Sequence, residues 1–223
     1  MNRIKFINRS RKYYSRQHLI VFFVALISTA VLTGALTVGD SVKYSLKKQL
    51  EKRLGGIDYV FTAGDRFFRS NLSQQLSHSL PMESASVLLM QGVAINTDNK
   101  KRINKAQIIG VDDAFWRLSS IEMEKFDDAG LMISENTAVN LELELGDDVL
   151  LRIQNSDVIP INAPFSNDED NSIALRLKIN RIVSDDELGK FSLRNNQLLP
   201  NNVFINREYL AKMLELEGFS NML

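Results

Sequence analysis

From position 19 to position 38 the chain holds twenty consecutive uncharged, mostly apolar residues, and beyond them the apolar positions become periodic. As a helix the run rises about 30 Å, the thickness of a bilayer's hydrocarbon core. Val42, Leu46, Leu50 and Leu54 then recur every four residues, while Lys43, Lys47, Lys48, Glu51, Lys52 and Arg53 fill the other faces. That spacing predicts an apolar stripe on a surface helix. Gly55-Gly56 supplies the residues best suited to a left-handed C-cap. One helix is therefore expected from about position 19 to 54, a membrane span over 19–38 prolonged as a stalk over 39–56. The stripe requires cover, either from its own domain or from another helix.

After the glycines the pattern changes to short strands and helices. Positions 58–63 (DYVFTA) are rich in aromatic and β-branched residues and read as a strand. Positions 70–80 read as a short helix ended by Pro81, with Leu72 and Leu76 on one side. Two strands, 84–96 and 105–111, flank the polar turn at Asn96-Thr97-Asp98-Asn99-Lys100. The β-α-β-β order predicts a small sheet with helices on one face. The chain turns acidic and irregular over 112–128, which suggests a subdomain boundary. Further on, 130–134 and 149–153 read as strands on either side of a helix at 136–141 that Ser134 caps, with a turn at Gly146-Asp147-Asp148. Then come a polar loop at 167–172, a strand at 173–183, a strand at 201–206 and a helix at 208–217. The expected fold is α+β. A basic tail (1–18), the span (19–38) and the stalk (39–56) lead into an α/β subdomain (57–128) and a β-rich one (129–223).

Charge gives the span a direction. Arg3, Lys5, Arg9, Arg11, Lys12 and Arg16 precede it with no acid, and the first carboxylate is Asp40. An excess of Lys and Arg holds that side in the cytoplasm, so the remainder is expected outside it, as an anchored extracytoplasmic domain. A cleaved signal peptide is the competing reading. Its apolar core is usually shorter, and the best cleavage candidate, Thr33-Gly34-Ala35, has a poor residue at −3. An uncleaved anchor is expected. The formal net charge is zero, so the part after position 39 carries 21 cations against 27 acids, a net of −6. That balance gives no reason to expect nucleic acid as a partner. With no cysteine there is no disulfide, thiol nucleophile or Cys-based zinc site.

Candidate chemistry is sparse. No Gly-x-x-x-x-Gly-Lys-Ser/Thr loop exists to cradle phosphates. His18 stands at the membrane boundary, and His78 lies in a polar helix without a Gly-x-Ser-x-Gly elbow. Asp112-Asp113, Asp127-Asp128, Asp147-Asp148 and Asp185-Asp186 all fall at expected turns, where Asp accepts local backbone bonds. Asp168-Glu169-Asp170 lacks the glycine and terminal glutamate of a calcium loop. Lys100-Lys101-Arg102 reads as a solvated loop tip, and Phe67-Phe68 and Phe115-Trp116 as core anchors. No catalytic, cofactor-binding or metal-ligating residue is assigned, no cofactor is implied, and the chain is not expected to be an enzyme.

The order of basic tail, membrane helix, Gly39-Asp40-Ser41 and stalk is similar to the permease subunits of MacB-like and FtsX-like ABC transporters. The stretch 54–68 (LGGIDYVFTAGDRFF) resembles the entry to their periplasmic core domain. Positions 133–151 (ISENTAVNLELELGDDVLL) resemble its strand, short helix, Leu-x-x-Gly-Asp turn and next strand. Asn202-Val-Phe-Ile-Asn with the helix at Tyr209-Leu210 resembles the strand and helix that come next in that domain. The resemblance implies a permease component, or its amino-terminal fragment. Its partners would be the lipid bilayer, a cytoplasmic ABC ATPase subunit that hydrolyses the ATP, and a second permease copy or paralogue. Such permeases continue into three more membrane helices, whereas this sequence stops at Leu223, so a fragment or a reduced relative is expected. The alternative is a single-pass anchored extracytoplasmic binding or sensor module.

Overall fold

The basic tail and the apolar run are both helical in the computed structural model, which describes residues 3–64, 66–118, 130–154, 172–194 and 198–223. The chain forms two compact units, Met1–Gln49 and Leu50–Leu223. Helix α1 (Arg3–Tyr13) precedes helix α2 (Ser15–Leu54), whose 40 residues span about 60 Å at 1.5 Å per residue. Among the described residues α2 is the one helix long and apolar enough to cross a membrane. The threonines of the apolar run bond within the helix: Thr33 Oγ1 donates to Thr29 O and Thr37 Oγ1 to Thr33 O, each at 2.8 Å, which lowers the cost of placing those hydroxyls in hydrocarbon. Val42, Leu46 and Leu50 of the stripe are exposed, whereas Leu54 packs into the core of the second unit. Gly55 adopts φ 59° and donates to Glu51 O at 2.7 Å, the expected left-handed cap.

The second unit is built on a six-stranded closed barrel in the order β2-β3-β7-β4-β6-β5. Its strands are β2 (Leu88–Asn96), β3 (Arg102–Val111), β4 (Leu131–Ser134), β5 (Asp148–Gln154), β6 (Ser172–Val183) and β7 (Asn202–Asn206). The β3–β7 and β4–β6 pairs are parallel, and the other four are antiparallel. The small sheet expected within 57–128 is part of this barrel, whose strands come from both sides of position 128. β2 pairs with β5 and β3 with β7, so strands from 57–128 and 129–223 form one wall, and pairing β2 with β5 leaves no free sheet edge.

Alternation along the strands explains the two cores. Leu88, Met90, Ile108, Leu131, Ile133, Leu151, Leu177, Val203 and Ile205 point inward and fill the barrel, joined by Ala138 and Leu141 of helix α5 (Glu135–Leu141) and Leu210 and Ala211 of helix α6 (Arg207–Met213). The opposite face of β3, β7 and β4 presents Ile109, Phe204 and Met132 to a second cluster. There helix α4 (Asp113–Leu118) contributes Phe115 and Trp116, and the segment after β6 contributes Leu188 and Phe191. On β6 the outer positions Arg176 and Lys178 are exposed instead.

Several expectations shift at their edges. Residues 58–63 form no strand of the barrel and join the fold through a bridge between Thr62 and Met222, neighbouring backbone bonds and the packing of Val60 on the second core. The stretch expected to be irregular from 112 begins with α4, because Asp112 Oδ1 accepts from the N–H groups of Ala114 and Phe115 and the two aromatics are buried. Helix α6 ends at Met213 rather than 217. Glu215 turns left-handed at φ 58° and Leu216 N–H donates to Ala211 O at 2.8 Å, which turns both Leu214 and Leu216 into the core. Helix α3 (Leu72–Ser79) and the Ser134 cap of α5, bonded to Thr137 N–H, stand as expected. Strand β1 (Phe68–Arg69) pairs with β8 (Phe219–Ser220) in a separate two-stranded ribbon.

Candidate functional site

The second unit carries a cleft of about 420 Å³ walled by the chain that leaves α2. Residues 56–61 form one side, Leu76 of α3 with residues 82–85 another, and Met222 and Leu223 the third. Val87, Phe115, Leu118 and Phe191 make the floor.

Backbone pairing holds the walls. Phe61 N–H donates to Leu223 O at 2.7 Å and Leu223 N–H returns to Phe61 O at 2.9 Å. Val87 N–H donates to Met222 O at 2.8 Å and Met222 N–H returns to Val87 O at 3.1 Å, so Met222 lies between the two segments. The Asn221 side chain extends this pairing. Its Nδ2 donates to Leu89 O at 2.8 Å and its Oδ1 accepts from Leu89 N–H at 2.7 Å. Serines fasten α3: Ser84 Oγ donates to Ser73 O and Ser86 Oγ to Ser70 O, both at 2.7 Å. Gly56 is required by proximity, since a Cβ there would stand 2.5 Å from Leu118 O. Gly55 thus serves the cap and Gly56 the close approach.

The floor is rigid and aromatic. Phe115 meets Trp116 at 5.3 Å and Phe191 at 5.4 Å between ring centroids, both nearly perpendicular. Asn202 of β7, wholly buried, clamps the Phe191 segment by donating from Nδ2 to Gly189 O at 3.0 Å and Phe191 O at 2.8 Å. At the rim Tyr59, Phe61 and Met82 are exposed. Asp58 and Glu83 are the only charged side chains among the lining residues, and Ser84, the one hydroxyl besides Tyr59, is already bonded. The cleft is of small-ligand size and suits apolar matter.

Beside it, Lys52 in the last turn of α2 donates to Asp186 at 2.8 Å. That bond, with the negative charge of Asp186 and of Asp185, holds the ammonium above the ordinary lysine range. Lys190 pairs with Asp185, and Arg181 with Glu187. These pairs fix the 3₁₀ turn Asp185–Glu187 whose following residues include Phe191.

The residues singled out in the sequence do not converge. His78 is exposed on α3 and His18 exposed on α2. Asp112 caps α4 and lies 3.5 Å from Arg207 Nε, Asp147 accepts from Glu144 N–H, and Asp148 pairs with Arg176 at 2.8 Å. Asp185 and Asp186 hold lysines, as above. Lys100 forms the left-handed tip of the β2–β3 turn and Lys101 pairs with Glu142. Asp127-Asp128 and Asp168-Glu169-Asp170 lie outside the described residues. Among the described residues no three His, Asp or Glu side chains gather as a metal site. The cleft itself has no motif in the sequence, although aromatics straight after a helix-ending glycine pair are the available signal.

No protein-family model matches the chain, and no curated protein matches it. Solved structures similar to it in backbone arrangement include the following two. One is the extracellular domain of the noncanonic ABC-type transporter YknZ from Gram-positive bacteria, at 11% identity and TM-score 0.44, covering 73% of this chain and 79% of that one. The other is the periplasmic region of MacB from Actinobacillus actinomycetemcomitans, at 9% identity and TM-score 0.44, covering 73% of this chain and 70% of that one.

Proposed function

We propose that this chain is a non-catalytic permease component of an ABC transport or force-transmitting system, its barrel unit held outside the cytoplasm and driven by a separate ATPase subunit. The observation that carries the reading is the continuity of α2. One uninterrupted helix holds both the hydrocarbon-length run and a last turn built into the barrel unit, where Leu54 enters the aromatic cluster and Lys52 grips Asp186. A helix without a break transmits axial displacement or rotation, because its backbone bonds would have to open before it yields. Motion imposed on the span by a cytoplasmic ATPase would reach the floor of the cleft through Leu54. The exposed residues Val42, Leu46 and Leu50 supply the face on which a second permease helix would pack.

The cleft supports a second reading, a single-pass anchored binding or sensor module working alone. Cross-linking in membranes separates the two. The chain has no cysteine, so Leu46→Cys and Leu50→Cys each introduce a unique thiol. The permease reading expects both to form an adduct whose partner, identified by mass spectrometry, is a permease membrane helix encoded beside a P-loop ATPase. Quantitative recovery of the uncross-linked monomer at both positions would refute it in favour of the lone module.

A further inference from the structure

The tail before the membrane run is a defined helix rather than a charged strand of coil. Six cations, Arg3, Lys5, Arg9, Arg11, Lys12 and Arg16, occupy the first eighteen positions without a single carboxylate. The backbone ladder of α1 runs on toward α2, with Tyr14 N–H donating to Ser10 O and His18 N–H to Tyr14 O, both at 3.0 Å, but like charges at this density repel one another. Such a helix needs a surface. At 3.6 residues per turn, Lys12, Lys5 and Arg9 fall within an arc of about 60°, Ile7 and Ile4 lie on the far side, and Phe6 and Tyr13 fall between Arg9 and Ile7. Ile4, Phe6 and Ile7 are 71%, 63% and 62% exposed. Arg11 falls among the apolar positions, where its long stem lets the guanidinium reach outward to headgroups.

The junction with α2 has matching chemistry. Tyr14 alone separates the two helices. Its ring meets that of Tyr13 edge-on at 4.9 Å, and His18 follows one turn later. Amphipathic rings of this kind collect at the headgroup level of a bilayer. A surface that offers negative charge above an apolar layer, next to a membrane span, is a leaflet containing anionic phospholipid.

We propose that α1 is an interfacial helix that binds anionic phospholipid, with Lys5, Arg9 and Lys12 on the phosphates and Ile4, Phe6 and Ile7 at the acyl boundary. The proposal rests on the reading of positions 19–38 as a membrane span. It gives the chain a sensitivity to lipid composition that the span alone lacks, because a helix tethered to the bilayer meets its headgroups at high effective concentration.

The test uses the full chain in nanodiscs of phosphatidylcholine alone or mixed with phosphatidylglycerol, so that both leaflets are alike and insertion orientation does not matter. Ile7→Cys and Asn8→Cys each carry one environment-sensitive fluorophore. The Ile7 probe is expected to emit at shorter wavelength in the phosphatidylglycerol discs, the Asn8 probe to stay unchanged, and the combined Lys5→Gln, Arg9→Gln, Lys12→Gln variant to lose the shift. Identical Ile7 emission in the two discs, or a shift that survives the triple replacement, overturns the proposal alone. A chain that does not co-elute with discs overturns the span and the proposal together.

Discussion

Asn202 gives the sharpest test of how the barrel holds the cleft floor. Its side chain is wholly buried, and its Nδ2 satisfies the carbonyls of Gly189 and Phe191, themselves on buried residues. Asn202→Ala removes both donors at once. Leaving a buried acceptor unpaired costs about 1–3 kcal/mol, so with partial relaxation the variant should lose about 3 kcal/mol. For a unit of this size each kcal/mol moves Tm by about 2–4 °C, which predicts a fall of about 6–12 °C. Asn202→Asp preserves the shape but faces the same carbonyls with a charged acceptor, and should fall at least as far. The chain supplies its own reporter, since its single tryptophan, Trp116, is 1% exposed and linked to Phe191 through Phe115. Thermal unfolding of the full chain in detergent is followed by the shift of tryptophan emission toward the red. A decrease in Tm smaller than about 2 °C for both variants would show that Asn202 does not fasten this segment.

Two further outcomes arise from close contacts. Gly92→Ala places a Cβ 2.5 Å from Arg152 O and 2.7 Å from Ile108 Cδ1 inside the β2–β5 pair, and should destabilise the barrel by about 1–3 kcal/mol in urea unfolding. Asn221→Ala removes both side-chain bonds to Leu89 while the barrel strands keep their own pairing. Hydrogen exchange at the Leu89 amide should therefore accelerate well beyond that at Ile108, and equal acceleration at both would mean global rather than local loosening.

The parts that could be read from the sequence are those whose pattern is local. The 40-residue helix follows from an uncharged run and a four-residue stripe, the β2–β3 hairpin from apolar stretches around a polar turn, β6 from alternation and β7 from a short apolar run. The Ser134 cap was visible because its hydroxyl serves a residue only three positions away. Closure of the barrel was not visible. It depends on β3 finding β7 in parallel across about ninety residues and β2 finding β5, and no local preference encodes either choice. Helix α1 was hidden by its polarity, since charge reads as a solvated tail unless the few apolar positions are placed on a wheel. The cleft was hidden for a third reason. Tyr59, Met82, Phe115 and Met222 come from four distant segments, each of which reads alone as ordinary strand, loop or core.

A retained span, with the tail on one side of the membrane and the barrel unit on the other, can be checked by labelling single cysteines with a membrane-impermeant maleimide. Asn8→Cys marks α1 and His78→Cys the exposed face of α3, in a chain that otherwise holds no thiol. In intact wall-stripped cells His78→Cys should label at once and Asn8→Cys only after lysis, with both positions on a single uncleaved polypeptide. Labelling in the reverse order, or a mature chain that has lost its first 35 residues, would refute this topology.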